Sequence, residues 1–371
     1  MQEHPTAVPS LEIVNPVAFA SEHRIHSTLL DEDRTVYVRV PESYAENSRR
    51  YPVLYMLDGE MPLFTSHAGV ITQLSEWESR IPESIVVGIP NTDRPRDMIP
   101  VAIELPNGRK HGGGADRFLQ FIATELVPAI DTAYRTHPYR TLSGTSASGL
   151  AVVHAFAIGL EGFQSFFASS PTVGSSDRAL FQQVTAEGIQ GDADRFLAIF
   201  SGDDDMEGIQ QDSEEFAQLI REHAKNAVEV HHWIHAGEGH CPFDGFRKSL
   251  LALYASWQPS DEVIDKGLEA VQDHYQQLSH RFGYPIDLPI SAYESIGERM
   301  IGSGNPTAAV EILEYGMQQH KQSTRIAFYL AIALARSDQR IAAKEMLEEL
   351  VAADLPGTNR LLGLLNQLKD A

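Results

Sequence analysis

The stretch from Tyr139 to Phe156, YRTLSGTSASGLAVVHAF, places a serine among small residues: Gly144-Thr145-Ser146-Ala147-Ser148-Gly149. A short apolar strand pattern leads into this turn and a helical pattern leads out. That strand–turn–helix context is the one a nucleophile elbow requires. The turn holds its serine in a strained conformation, so the residues two positions away must be small. Gly144 and Ser148 meet that condition, and Gly149 adds room. The geometry lifts Ser146 Oγ above the sheet edge, beside a helix N-terminus whose partial positive charge favours an oxyanion. Serine at 148 departs from the usual glycine, but the steric argument is unchanged. The competing reading is a tight glycine/serine turn without chemistry; the order of the strands that follow favours the elbow.

A serine hydroxyl needs a base to become nucleophilic near neutral pH. On a sheet of this kind the base and its acid lie on loops after later strands, in the order serine, acid, histidine. The strand pattern FLAIFS is followed by Gly202-Asp203-Asp204-Asp205. The strand pattern VEVHHWI is followed by Ala236-Gly237-Glu238-Gly239-His240. His240, in a glycine-flanked loop just before a helix, is the candidate base. Asp205 is the first candidate for the acid, with Asp203 and Asp204 as alternatives; at least two of the three belong to a solvated turn. His231 and His232 fall on opposite faces of a strand, so HHxxH is a poor metal site.

An oxyanion hole on this plan uses the backbone N–H of Ala147 and a second N–H from the loop after the strand YPVLYML. That loop is Asp58-Gly59-Glu60, and Gly59 or Glu60 is the expected donor. His111-Gly112-Gly113-Gly114 resembles an oxyanion motif, but it follows a later strand and opens a helix. It reads as a helix-entry loop.

The elements that must position these groups are legible from periodicity. HRIHSTLL, DEDR and TVYVRV predict a hairpin over residues 24–40. From Tyr51 onward, YPVLYML, SIVVGI, YRTLSG, FQSFFASS, FLAIFSG and VEVHHWI alternate with amphipathic stretches such as ADRFLQFIATELVPAIDTAYRT. Such alternation predicts a mostly parallel sheet with helices on both faces. The strand signal stops near Gln258, and Pro259-Ser260 marks a boundary. DEVIDKGLEAVQDHYQQLSHRF then reads as one long amphipathic helix. Ala308, Ala309, Glu311, Leu313 and Glu314 recur 34 residues later as Ala342, Ala343, Glu345, Leu347 and Glu348, the period of tetratricopeptide helix pairs. Helix pairs are expected at about 292–320 and 325–352, with a capping helix after them and with Asn305 and Pro306 opening one helix. An ordinary small helical bundle is the alternative. The expected division is residues 1–258 and 259–371.

Composition bounds the function. The 371 residues are 43% hydrophobic, enough for sizeable cores. With 29 basic and 51 acidic residues the formal charge is −22, so nucleic acid is an unsuitable partner. One cysteine, Cys241, excludes an intrachain disulfide and a cysteine metal site. Met1 to Ser10 has neither a basic nor an apolar leader segment, and no apolar run is long enough to span a bilayer. The chain is therefore read as cytoplasmic.

Taken together, YPVLYMLDG, VVGIPNTDRPRDMIP, GGADRFLQFIATELVPAIDTAYRT, the elbow and GEGHCPFDGF resemble the putative esterase family of α/β hydrolases, most closely its enterochelin-esterase-like branch. The resemblance covers roughly residues 20–285. It implies an α/β-hydrolase fold followed by a small helical domain with tetratricopeptide-like repeats. It also implies a serine esterase acting on a small-molecule ester through Ser146, His240 and the acidic run, with no metal or organic cofactor. Asp93, Arg94, Arg96 and Asp97 match the family's NTDR-RD segment. Arg94 or Arg96 would meet polar substrate oxygens at the pocket rim, or the four would form an internal salt-bridge cluster. Two alternatives stay open: acyl transfer from the same site, and an idle hydrolase fold acting as an interaction protein. Residues 290–371 are the expected surface for self-association or a protein partner.

Overall fold

The computed structural model describes residues 18–45, 47–191, 194–224, 228–353, 355 and 357–370. The polar opening Met1 to Ser10 lies outside the described residues.

The first element among the described residues is the expected hairpin, β1 (Ser21–Ser27) and β2 (Glu32–Arg39), paired antiparallel. Next come β3 (Tyr51–Leu57), α1 (Met61–Thr72), β4 (Ile85–Ile89) and the short α2 (Arg94–Met98). A two-stranded ribbon, β5 (Ile103–Glu104) and β6 (Lys110–His111), leads to α3 (Ala115–Phe121). That helix runs through a π turn, Ile122–Leu126, into α4 (Val127–Ala133). The remainder of the α/β region is β7 (Thr136–Thr145), α5 (Ala147–Ala157), β8 (Ser165–Ser169), α6 (Ser175–Glu187), β9 (Phe196–Gly202), α7 (Ile209–His223), β10 (Glu229–His235) and α8 (Phe243–Leu253).

The main sheet has the order β1-β2-β4-β3-β7-β8-β9-β10. From β4 to β10 all neighbours are parallel; the β1–β2 and β2–β4 pairs are antiparallel. β3, β4, β8 and β9 are buried along their whole length, as their continuous apolar runs require. Alternation along β3 divides the core. Val53, Tyr55 and Leu57 join the cluster under α3 to α7, while Leu54 and Met56 join the one under α1 and α8.

After Leu253 the described residues form helices only: α9 (Asp261–Ile264), α10 (Leu268–Phe282), α11 (Ile290–Gly302), α12 (Pro306–Gln319), α13 (Thr324–Arg336), α14 (Arg340–Ala352) and α15 (Thr358–Asp370). The single long helix expected from Asp261 is instead two, α9 and α10. Gly267, at φ 95°, breaks it, because an α-helix cannot continue through that backbone. Asn305 caps α12 through its side chain and Pro306 takes the first helical position. α13 and α14 start 34 residues after α11 and α12, from Ile290 to Thr324 and from Pro306 to Arg340. Ala309, Leu313, Ala343 and Leu347 are all fully buried, so the repeated small and branched residues form the seams between helices. These helices extend the core on the α1/α8 side of the sheet without a break. Phe282 packs against Tyr139 and Tyr254, and Tyr284 stacks on His137 with ring centroids 3.9 Å apart. No described helix is long and apolar enough to cross a membrane.

Candidate active site

The C-terminal ends of β3, β4, β7, β8, β9 and β10 deliver the candidate groups to one edge of the sheet. Ser146 stands between β7 and α5 at φ 61°, ψ −119°, a conformation costly for any residue but glycine. Its N–H donates to Ser169 O at the end of β8 (2.8 Å), and its carbonyl accepts Leu150 N in the first turn of α5 (2.9 Å). Gly144 is required by close approach: a Cβ there would meet Ser148 O at 2.5 Å.

Asp205 and His240 come together. His240 Nδ1 and Asp205 Oδ1 are 2.6 Å apart. The Asp205 side chain is 1% exposed and that of His240 28%, so the acid is enclosed while the ring reaches the surface. The Ser170 hydroxyl donates to the other Asp205 oxygen (2.5 Å) and accepts from Cys241 N (2.9 Å). The Met206 N–H donates to Asp205 Oδ1 (2.7 Å). The carboxylate thus holds the imidazole, while β8, which also anchors the elbow, holds the carboxylate. Asp203 and Asp204 are exposed and do other work. Asp203 Oδ1 accepts Gly237 N (2.8 Å), and Asp204 N donates to Glu238 O (3.0 Å), closing the turn after β10.

On the oxyanion side, Ala147 N opens α5, and neither it nor Glu60 N has a hydrogen-bond partner among the described residues. Gly59 is corrected as a donor. Its N–H bonds to Ile89 O (3.0 Å), and the contact is so close that a Cβ would sit 2.2 Å from Ile89 N. The His111-Gly112-Gly113-Gly114 loop enters α3 as expected; Gly113 N donates to Ile99 O and Gly114 N to Arg96 O.

The two arginines form ion pairs. Arg94 grips Asp58 with two bonds of 2.7 Å and donates to Thr145 O (3.1 Å). Arg96 bonds Glu32 through both terminal nitrogens and Asp97 through Nε. This corrects Arg96 as a substrate contact: each of its nitrogens already faces a carboxylate, which is the salt-bridge alternative. Arg34, buried in β2, completes the cluster by donating to Asp97 (2.7 Å). His231 bonds Glu229, whereas the electrostatic neighbours of His232 are Glu214 and Arg221, so the two rings do not converge.

The putative esterase family matches residues 27–282 of this chain. The chain belongs to that family. As a member it is a carboxylic ester hydrolase. It is 29% identical over 242 residues to the apo-salmochelin esterase of Escherichia coli O6:H1, covering 59% of this chain and 74% of that one. It is 30% identical over 165 residues to the ferri-bacillibactin esterase BesA of Bacillus subtilis, covering 38% and 55%. The solved IroE-like serine hydrolase of Shewanella oneidensis superimposes with a TM-score of 0.69 at 26% identity, over 81% of this esterase and 99% of that chain.

Four side chains at this esterase's site escaped the sequence reading. Ser170 carried a weak signal, as a polar residue ending an apolar strand between elbow and acid. Ser148 was read only for its size. Asn91 and the Asp58 carboxylate sit in loops whose pairing becomes visible only when the strands are side by side.

Proposed function

We propose that this chain hydrolyses carboxylic esters with Ser146 as nucleophile, His240 as general base and Asp205 as the acid that orients it. The observation that carries the reading is the 2.6 Å bond between His240 Nδ1 and the enclosed Asp205 carboxylate, which Ser170 holds at the end of β8, the same strand end that anchors the strained Ser146 turn. With Nδ1 protonated and donating to Asp205, the Nε2 lone pair is left to take a proton. Ser146 Oγ attacks the ester carbonyl carbon as His240 Nε2 removes the hydroxyl proton. The carbonyl oxygen becomes an oxyanion that accepts from the N–H groups of Ala147 and Glu60. Collapse breaks the bond to the alkoxide, which leaves with the proton from His240. Water, deprotonated by the same imidazole, then releases the acid and restores Ser146.

The names of two relatives point to siderophore esters, so a catechol trilactone is the first substrate to test beside short acyl esters. Arg94 Nη1 has no hydrogen bond among the described residues and its side chain is 39% exposed, which suits it to a polar substrate oxygen. Residues 259–371 form a tetratricopeptide-like extension in this reading, a surface for self-association or a protein partner.

The test is turnover of a panel of p-nitrophenyl esters and a catechol trilactone by wild type and Ser146→Ala. The variant should lose about a thousandfold or more in kcat. Undiminished turnover would remove Ser146 from the mechanism.

A further inference from the structure

The carboxylate of Asp58 accepts four hydrogen bonds, each 2.7 Å: two from Arg94, one from Asn91 Nδ2 and one from Ser148 Oγ. Ser148 is fully buried, and its hydroxyl also accepts Thr145 N (2.6 Å). Arg94 ties Asp58 to Thr145 O from the other side. Asn91, held by Asp58, donates through both its backbone and its side chain to Glu60 Oε1 (3.0 and 2.7 Å). Asp58 itself stands at φ 52°, so this network must offset a backbone cost.

The destinations of these bonds carry the argument. Every one leads to the loop after β3 or to the nucleophile turn, the two segments that present Glu60 N and Ala147 N. We propose that Asp58 is a positioning residue of the site, clamping these two segments so that both N–H groups meet one oxyanion, with Ser148 as its link to the elbow. This rests on the hydrolytic reading above.

Preorganised donors stabilise an oxyanion because they need not move as charge develops. A clamp of hydrogen bonds to a charged, enclosed carboxylate fixes their separation more firmly than van der Waals contact does. Burial would push the Asp58 carboxyl up, but Arg94, Ser148 and Asn91 outweigh it and hold the group below the usual carboxylate range. The clamp therefore stays charged at any pH where a histidine base works.

The experiment compares Asp58→Asn and Ser148→Ala with wild type for kcat, KM and thermal midpoint, on whichever ester the wild type turns over. Ser148→Ala keeps the Arg94–Asp58 pair and tests the link should Asp58→Asn fail to fold. The clamp predicts that kcat falls about ten- to a hundredfold, below the effect of deleting a donor outright, while KM stays within about twofold. It also predicts a matching loss of affinity for a trifluoromethyl ketone, whose adduct needs the oxyanion donors. A merely structural role would lower the thermal midpoint and leave kcat and ketone affinity of the folded protein unchanged; that result overturns the clamp while leaving the esterase intact. If wild type neither turns over esters nor reacts with a fluorophosphonate, the hydrolytic reading fails and the clamp falls with it.

Discussion

Along the edge of the sheet that carries Ser146, Asp58, Ser146, Ser170 and Cys241 stand in the left-handed region, at φ 52°, 61°, 42° and 67°, and Ser176, Asp177 and Arg178 do so where α6 opens. From α11 to α15, Asp338 alone among the described non-glycine residues does so, at φ 60°. The two regions are held differently. At the sheet edge, Asp58, Ser170 and Asp205 are fixed by short bonds to polar side chains and backbone groups of neighbouring loops. In the helices, Ala309, Leu313, Ala343 and Leu347 are fully buried in one apolar core and have no polar side-chain group to satisfy. Strain with a specific bonding pattern belongs where reacting groups must sit in one geometry; repetition belongs where burial alone is needed. Substitutions at the edge should therefore change rate more than stability, and those in the seams the reverse.

The sharpest break in that comparison lies within the acidic run. Asp205→Asn should lower kcat about 10²- to 10⁴-fold, because the amide cannot hold His240 in the required tautomer. Asp203→Asn, at an exposed position, should stay within about threefold. Equal effects would mean that the enclosed contact has no part in the rate.

In the helical region, Gly316→Ala is the matching probe. A Cβ there would meet the Tyr293 ring at 2.8 Å, so α11 and α12 must shift, at a cost of about 1–3 kcal/mol. Denaturant unfolding should show that loss while kcat stays at the wild-type value. A fall in kcat in the folded variant would tie the helices to the chemistry and undo the separation.

A smaller effect comes from two histidines. Burial holds His67 down at about 4, and burial with the Arg50 cation does the same for His137. Unfolded, both titrate near their ordinary 6.5. Below that pH the unfolded chain binds protons that the folded chain refuses, so stability falls as pH drops from 6.5 towards 4. Urea midpoints across this window should flatten in His137→Phe, which keeps a ring on Tyr284; an unchanged slope would remove His137 from the effect.

Much of this was readable in the chain. The apolar runs marked β3, β4, β8 and β9 because fully buried parallel strands tolerate few polar residues, while β7 and β10, buried only in part, showed shorter apolar stretches. The elbow was readable because its steric demand is local, met within Gly144 to Gly149. What escaped depends on contacts distant in sequence. Ser148 pairs with Asp58, 90 residues away, and Ser170 with Asp205, 35 away; no local pattern encodes either. Gly59 was misread for the same reason, since the carbonyl that takes its N–H belongs to the neighbouring strand β4. The helix break at Gly267 was a matter of one backbone angle in a sequence whose amphipathic rhythm ran straight through it.

The most direct test of the central claim is fluorophosphonate labelling of the folded wild type, followed by peptide mass mapping. The account predicts one stoichiometric adduct on Ser146, strongly slowed in His240→Ala. An adduct on another serine, or none on folded protein, would contradict it.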